Sequence, residues 1–263
     1  MIVPLKSTIS DNWFYLLHDA GEGVLIDPID PAVACEAVDA LGLALTLVIN
    51  THWHPDHVAG DDAVLAAYPD AKLWVARGDA DKIASLIAST PDALLSAGDT
   101  VPVGAQRWDV LDIPGHTLGH IGLRYGDEFV VGDTVFAAGA GHCRSGDPQV
   151  LFRTYRDVFT GLDGKIRMYP GHDYAVRNLE FSASILASQA VQDAAEQAKH
   201  RSEYVPLSLR QERLTNPFMR AFEPDYQAIV RDHAPDAWRS WEERGTSGAE
   251  CAFCVLRELR NAW

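Results

Sequence analysis

Residues 51–57 read THWHPDH and bring three imidazoles and a carboxylate into seven positions, directly after an apolar run. His52 and His54 are two residues apart, so both side chains leave an extended segment on the same side. Asp56 and His57 follow a proline, where the chain can turn into a helix. Because four such groups at one turn are too many for a single tetrahedral ion, the pattern favours two neighbouring metal ions.

Three later segments each end a short apolar run with another ligand-type residue: His116 in IPGHTLGH, Asp133 in FVVGDT and His172 in MYPGHD. In layered α/β folds, strand ends are where ligand sites are built. We therefore predict one metal at His52, His54 and His116, a second at Asp56, His57 and His172, and Asp133 as the bridge. Imidazole and carboxylate without thiolate suit zinc, iron or manganese, and we take zinc as the working prediction.

In chain order, the motifs THWHPDH, PGHTLGH, GDTVF and YPGHDY resemble those of the metallo-β-lactamase superfamily. AGAG at 138–141 and TNPFMR at 215–220 narrow the resemblance to the glyoxalase II family, the hydroxyacylglutathione hydrolases. The resemblance covers nearly the whole chain, including a C-terminal tail that most superfamily members lack. It implies an α/β fold, a four-layer αββα sandwich followed by a helical domain. The implied activity is hydrolysis of S-(2-hydroxyacyl)glutathione, such as S-D-lactoylglutathione, by a hydroxide that bridges two metals.

The chemistry of such a site suits a thioester. Two divalent ions lower the pKa of a shared water toward neutrality and polarise a carbonyl. A thiolate leaving group, with a pKa of about 8.5, needs little protonation, so no strong general acid is required. Asp56 and Asp133 are the predicted catalytic carboxylates, because one would also orient the attacking water and the other bridges the ions. Asp27 and His120 are candidates for orienting metal ligands, with a purely structural role as the alternative.

The resemblance also implies cations for the carboxylates of glutathione. Arg257 and Arg260, in the C-terminal RELRNAW, resemble the basic pair of glyoxalase II and share one helical face. Tyr174 matches a family tyrosine that contacts glutathione. After AGAG the chain departs from the family, since His142 stands where a basic residue is usual and Arg144 replaces an aromatic one. This departure leaves open whether the thiol is glutathione or another carrier.

The composition and net charge of the chain limit the classes of binding partner. The 263 residues carry 22 basic and 37 acidic side chains, a net charge of −15, which argues against nucleic acid. No apolar stretch approaches the ~20 residues of a membrane span, and the first residues do not resemble a signal peptide. We therefore expect a cytoplasmic monomer that does not bind membranes and acts on a small-molecule glutathione thioester. The pair Cys251 and Cys254 is interpreted as structural rather than as a redox or zinc motif.

Strand-like runs fill the first part of the chain and helical patterns dominate after Tyr174. We predict a catalytic domain at 1–172 and a helical substrate-binding domain at 173–263. Within them we predict a hairpin over 12–27 and further strands at 45–49, 72–76, 108–113, 120–125 and 129–131. We predict helices at 31–41, 56–67, 79–88, 151–159, 176–201, 206–214 and 250–260.

Three other activities use related motifs. A persulfide dioxygenase would bind one iron, and a lactonase or β-lactamase would attack a different carbonyl; the helical tail argues against both. A thioesterase acting on another thiol carrier stays open. An oxygen-reducing di-metal centre with an electron-transfer partner would commonly have a carboxylate at the position of His54 and a flavin domain.

Overall fold

Two mixed six-stranded sheets organise the computed structural model, which describes residues 1–201 and 204–263. The first sheet has the spatial order β1 (Ile2–Lys6), β2 (Trp13–Asp19), β3 (Glu22–Ile26), β4 (Ala44–Asn50), β5 (Lys72–Ala76) and β6 (Ala93–Leu95). The second has the order β14 (Leu207–Ser208), β13 (Arg167–Pro170), β10 (Glu128–Gly132), β9 (Ile121–Tyr125), β8 (Gln106–Asp112) and β7 (Thr100–Val103). A short ribbon of β11 (Val135–Phe136) and β12 (Gly139–Ala140) follows β10.

Helices cover the outer face of each sheet. Four lie in the first half of the chain: α1 (Pro31–Ala40), α2 (Pro55–Val58), α3 (Asp61–Ala67) and α4 (Ala80–Ala84). Eight follow: α5 (Pro148–Thr154), α6 (Ala175–Ile185), α7 (Gln189–His200), α8 (Leu209–Thr215), α9 (Pro217–Arg220), α10 (Pro224–His233), α11 (Pro235–Glu243) and α12 (Gly248–Ala262). A 3₁₀ turn at Arg77–Asp79 precedes α4, and a π-helical turn at Tyr155–Phe159 extends α5.

Side chains along each strand alternate between the two faces of the sheet, and this alternation produces the layers of the sandwich. In β2, Leu17 packs in the core between the sheets, together with Trp108 of β8, whereas its neighbour Leu16 packs with Val38 of α1 on the outer face. Successive strand side chains point to opposite faces, so one strand serves both cores. The predicted four-layer αββα sandwich with a helical C-terminal region is confirmed.

The C-terminal helices share a core with the second sheet. Phe129 of β10 and Met168 of β13 belong to the same buried cluster as Phe253 of α12. Cys251 and Cys254 lie in this cluster as free thiols, as a structural role requires. Across residues 1–201 and 204–263, no helix combines the length and the hydropathy needed to cross a membrane.

Most predicted elements form, and the differences have local causes. The hairpin is β2 and β3, and helices form near 31–41, 79–88, 151–159, 206–214 and 250–260. The single helix predicted at 56–67 is instead α2 and α3, which are separated at Ala59 and Gly60. The backbone at Gly60 passes so close to Pro28 that a Cβ would lie 1.8 Å from its carbonyl oxygen. The helix predicted at 176–201 is α6 and α7, since Ser188 caps α7 by accepting a hydrogen bond from the amide of Val191.

Three helices and several strands were not predicted. Helices α9, α10 and α11 each begin at a proline, a first-turn signal that the sequence carries at Pro217, Pro224 and Pro235. The expectation that strands end before Tyr174 is also wrong, since the two-residue β14 pairs with β13. A two-residue strand has too few side chains to show a period of two.

Candidate metal centre and adjoining cavity

The seven predicted metal ligands come from four turns that follow strands of both sheets. The first sheet contributes residues 52–57 after β4, and the second contributes His116 after β8, Asp133 after β10 and His172 after β13. The structure brings all seven together. They form one group of His52, His54, His116 and Asp133 and a second group of Asp56, His57 and His172, with ligand atoms within 4.8 Å of one another in each.

In the first group, the facing ring nitrogens crowd together. His54 Nδ1 lies 2.8 Å from His116 Nε2 and 3.2 Å from His52 Nε2. Donor atoms bound to one ion at about 2.1 Å lie roughly 3 to 3.5 Å from each other. The spacing of these nitrogens therefore suits a shared cation.

In the second group, His172 Nε2 lies 3.3 Å from Asp56 Oδ2, and His57 Nε2 lies 3.8 Å from the same oxygen. Asp133 faces both groups, with Oδ1 at 3.5 Å from His57 Nε2 and Oδ2 at 3.4 Å from His116 Nε2. Asp133 Oδ1 is buried without a hydrogen-bond donor in the part of the chain that the structure describes. A buried carboxylate oxygen without a donor is what a cation at this position would satisfy.

The outward nitrogen of each ring is held by a polar group, which leaves the other nitrogen facing the cluster. These contacts join His116 Nδ1 to the carbonyl of His142 at 2.9 Å, His57 Nδ1 to Asp27 at 3.0 Å, His172 Nδ1 to Asp11 at 3.2 Å and His54 Nε2 to Ser145 Oγ at 2.6 Å. Asp11 and Ser145 were not predicted, because each is an ordinary loop residue far from its partner in the sequence.

Asp27 and His120 both contact predicted ligands. Asp27 has a φ of +53°, and its carboxylate accepts hydrogen bonds from the amide and the hydroxyl of Thr51 at 2.8 and 2.6 Å, besides facing His57. His120 stacks on His52 with ring centroids 4.6 Å apart, and its Nε2 accepts a hydrogen bond from the amide of Asp133 at 3.1 Å. Both residues are therefore placed to orient ligands.

Burial and charge set the protonation of the cluster. Burial lowers the pKa of His116 to about 3 and that of His52 well below its ordinary value, so both rings are neutral at pH 7. Burial also lowers the pKa of His172, but the carboxylate of Asp133 outweighs it and raises the value to about 9. The neutral rings have the form that binds metals, while the carboxylate draws positive charge to the second group.

A cavity of about 310 Å³ adjoins the cluster. The ring of His142 lies 4.7 Å from that of His116, and the ring of Tyr174 stacks on His172 at 5.1 Å. All five residues predicted to bind substrate line this cavity, which is bounded by Phe136, Ala140, His142, Arg144, Tyr174, Arg177, Asn178, Arg257, Arg260 and Asn261. No carboxylate belongs to this lining in the described parts of the chain.

The arginines of the cavity differ in their contacts. Arg257 is buried, and its Nη1 donates to the carbonyl oxygens of Ala140 at 2.7 Å and Gly141 at 3.1 Å. Arg260 is partly exposed and donates from Nε to Asn178 at 3.1 Å. Arg257 therefore ties α12 to the AGAG turn, whereas Arg260 keeps the rest of its guanidinium toward the cavity.

Two exposed arginines, Arg144 and Arg177, complete the cationic lining. Arg177 was not predicted, although it follows Tyr174 by three residues at the start of α6, a spacing that shares a helix face. Burial and the charge of Arg144 lower the pKa of His142. At neutral pH the positive charge of the cavity therefore lies on arginines rather than on His142.

The segments AGAG and TNPFMR contact each other behind the cavity. Ala138 has a φ of +49°, and its amide donates to Glu212 Oε2 at 2.8 Å. Asn216 donates to the same oxygen at 2.9 Å and to the carbonyl of Gly139 at 2.8 Å. Burial raises the pKa of Glu212 to about 7. A buried carboxylate and an amide from α8 and its end thus hold the turn that carries one wall of the cavity.

Two family models match the chain. The metallo-beta-lactamase superfamily model covers residues 9–172, and the model of the hydroxyacylglutathione hydrolase C-terminus covers residues 173–263. Among curated relatives, the hydroxyacylglutathione hydrolase of Anaeromyxobacter dehalogenans is 35% identical over 99% of each chain. That of Hyphomonas neptunium is 34% identical over 89% of this chain and 92% of its own.

Solved structures share the fold. ETHE1 from Myxococcus xanthus has a TM-score of 0.66 at 23% identity and covers 100% of this chain and 99% of its own. TTHA1623 in a di-iron-bound form has a TM-score of 0.58 at 22% identity, over 82% of this chain and 99% of its own. This fold, together with the His and Asp groups, indicates a dinuclear metal site.

Proposed function

The chain belongs to the hydroxyacylglutathione hydrolases of the metallo-beta-lactamase superfamily, and from this membership we propose how its residues divide the hydrolysis of a glutathione thioester. The enzyme is a thioester hydrolase of the glyoxalase II type. The observation that carries our assignment of residues is the position of the arginine-lined cavity directly beside the two ligand groups.

We assign His52, His54 and His116 to the first ion, Asp56, His57 and His172 to the second, and Asp133 to both. Two divalent ions bound here would supply a Lewis acid for the thioester carbonyl and lower the pKa of a water between them. We propose zinc as the resident metal, because imidazole and carboxylate ligands without thiolate suit it; iron and manganese are compatible with the same donors.

The protein residues do the positioning. Asp133, held at its amide by His120, faces both groups and is the carboxylate that would keep them at a fixed separation. Asp56 faces His172 and would orient the attacking water. No acid is required for the leaving group, because a thiolate with a pKa of about 8.5 departs without a proton. The residues assigned here therefore do not include a general acid.

We propose that the thiol carrier occupies the arginine-lined cavity. Arg144, Arg177 and Arg260 present N–H groups to it, and guanidinium groups pair well with carboxylates. The face of Tyr174 covers His172 and separates the cavity from that ligand. S-D-lactoylglutathione, with two carboxylates on its glutathione part, matches this lining.

The proposal also divides the chain by role. Residues 1–172 hold all seven ligand-type residues, while 173–263 supply Tyr174, Arg177, Arg257 and Arg260 to the cavity. We propose these ranges as a catalytic and a substrate-binding domain. We further propose a monomer whose partner is a small molecule rather than nucleic acid, since the net charge is −15.

The decisive experiment measures hydrolysis of S-D-lactoylglutathione and metal content on the same sample. We expect two ions per chain, loss of hydrolysis on chelation, and recovery when zinc is returned. If the protein binds two ions and hydrolyses other thioesters but not glutathione thioesters, the natural thiol carrier is not glutathione. One iron per chain with oxygen uptake on glutathione persulfide would instead identify a dioxygenase.

A further inference from the structure

We propose that Asn12 is a positioning residue of the second ligand group: its amide fixes the carboxylate of Asp56, so that binding of the second ion depends on it. The inference rests on the two-ion site proposed above and extends it to a residue outside the four motifs. Asn12 immediately precedes β2, on the connection from β1, and is almost fully buried, with 1% of its surface exposed.

The amide of Asn12 clamps one residue at two points. Its Nδ2 donates to the main-chain oxygen of Asp56 at 2.9 Å and to Oδ2 of the same residue at 3.1 Å. A carbonyl oxygen only accepts hydrogen bonds, so the NH₂ end of the amide must face Asp56. Both hydrogens of the amide are thus used to fix the side chain of Asp56 relative to its own backbone.

These two hydrogen bonds determine which carboxylate oxygen of Asp56 faces the second ligand group. The oxygen that accepts from Asn12, Oδ2, is the one 3.3 Å from His172 Nε2. The side chain of Asp56 is 45% exposed, so without the clamp it could rotate toward solvent. The hydrogen bonds from Asn12 therefore restrict the side-chain conformation of Asp56, which burial alone does not restrict.

Asn12 also touches the other two members of the group. Its Nδ2 lies 3.4 Å from His57 Nε2 and 3.4 Å from His172 Nε2. One atom of Asn12 therefore contacts a proposed metal-ligating atom of each of the three residues. Its Oδ1, by contrast, is buried without a donor within the described parts of the chain. An unsatisfied buried acceptor lowers stability, so the orientation of this amide is set by the contacts of its NH₂ end.

The backbone around Asn12 is anchored to the turn that carries His172. The amide of Trp13 donates to the carbonyl of Gly171 at 2.7 Å, and the amide of Ser7 donates to the carbonyl of Asn12 at 3.1 Å. The asparagine is thus fixed to one ligand-bearing turn while its side chain fixes a second. It couples the turn after β4 to the turn after β13 at the second ion.

The test is a metal titration against a competing chelator, with wild type, Asn12→Ala and the near-isosteric Asn12→Leu. We expect both variants to bind the first ion as wild type does and the second about 10- to 100-fold more weakly. Ser10→Ala is the matched control, because Ser10 lies on the same connection and its hydroxyl accepts a hydrogen bond from the main-chain N–H of Asn12 at 3.4 Å rather than from the side chain. Ser10→Ala should leave both affinities unchanged.

Thermal unfolding of the metal-free proteins shows whether each variant folds, and either asparagine variant that folds suffices. Unchanged affinity for the second ion in a folded variant would overturn the role of Asn12, and equal weakening of both ions would mean a general structural effect and overturn it too. A wild-type protein that binds fewer than two ions would instead contradict the proposed function, so the two failures are distinguishable.

Discussion

At the scale of single residues, the contacts of Arg257 and Arg260 separate substrate binding from structure. Arg260 lines the cavity and, among the described residues, donates only from Nε. A contact of its guanidinium group with a substrate carboxylate would exist in both the ground state and the transition state. Arg260→Ala should therefore raise the KM for S-D-lactoylglutathione about ten-fold and change kcat little, since a charge-assisted contact contributes about 1.5 to 3 kcal/mol. Steady-state kinetics measure this directly.

Two comparisons make that prediction specific. Arg239→Ala removes an exposed arginine of α11 that does not belong to the cavity lining, and it should leave both constants unchanged. Arg257→Ala should instead lower the free energy of unfolding, because two buried carbonyl oxygens lose their donor. If Arg260→Ala also slowed hydrolysis of a small thioester without carboxylates, its role would be structural.

His172 tests the assignment of the second ion. Its Nε2 faces both Asp56 and Asp133, so His172→Ala should reduce the metal content from two ions per chain to one and lower turnover by orders of magnitude. Metal analysis of the purified variant, alongside the rate of hydrolysis, measures both. An unchanged stoichiometry and rate would mean that the two-ion assignment is wrong.

The ligand-type residues could be predicted from the sequence because they are clustered, whereas the residues that orient them could not. Three imidazoles within 51–57 are visible as a local pattern. Asn12 and Ser145 are not, since each is a common polar residue whose partner lies far away in the sequence, Asp56 and His54 respectively. Contacts between loops that are distant in the sequence depend on the whole fold, which no local spacing encodes.

At the scale of elements, α8 controls the AGAG turn through one buried carboxyl group. Burial raises the pKa of Glu212 from 4.5 to about 7, so between these pH values the folded protein keeps a proton that the unfolded chain releases. The stabilising contribution of this group is complete below about pH 4.5 and is lost as the pH rises through about 7. The turn that it holds, at Ala138, therefore becomes less stable toward alkaline pH.

Glu212→Gln should remove this dependence. The difference in free energy of unfolding between wild type and variant should change by about 2 to 4 kcal/mol between pH 4.5 and 8, to the disadvantage of the wild type at the higher pH. Urea unfolding at several pH values measures it. Parallel stability curves for the two proteins would show that Glu212 does not titrate in this range.

Elements were predictable where an apolar run is bounded by turn residues. The hairpin of β2 and β3 consists of two such runs closed by the turn at 19–22, and its register is the simple antiparallel one. The helix predicted over 56–67 is divided next to Gly60, where the packed fold places the carbonyl of Pro28 against the backbone. That close approach depends on residues far away in the sequence and is not encoded in the helical pattern around it.

At the scale of the whole molecule, the second sheet and the C-terminal helices share one buried core. Phe129, Met168 and Phe253 share a single buried cluster across the proposed boundary at 172/173. Removing 173–263 would expose the outer face of the second sheet to water. We expect the full chain to unfold in one calorimetric transition and the fragment 1–172 to be unfolded or aggregated. A second, separate transition would contradict this expectation.

The overall architecture was predictable because it came with the resemblance of motifs that span nearly the whole chain. The division of the strands between two sheets follows from topology, since β4 and β13 lie in different sheets although both end in ligand-bearing turns. Periodicity assigns strands but does not pair them. In the helical region α8 and α12 were predicted as separate helices, α6 and α7 were predicted as one, and α9, α10 and α11 were missed.

Because the ligand-type residues follow strands of both sheets, metal binding at this site would connect the two sheets. All four cysteines are free thiols, so no covalent bridge joins one half of the sandwich to the other. Ions held between the turns carrying His52 and His172 would act as a cross-link that closes a loop of about 120 residues and restricts the unfolded chain. Chelators, and not reducing agents, are the reagents that should loosen this fold.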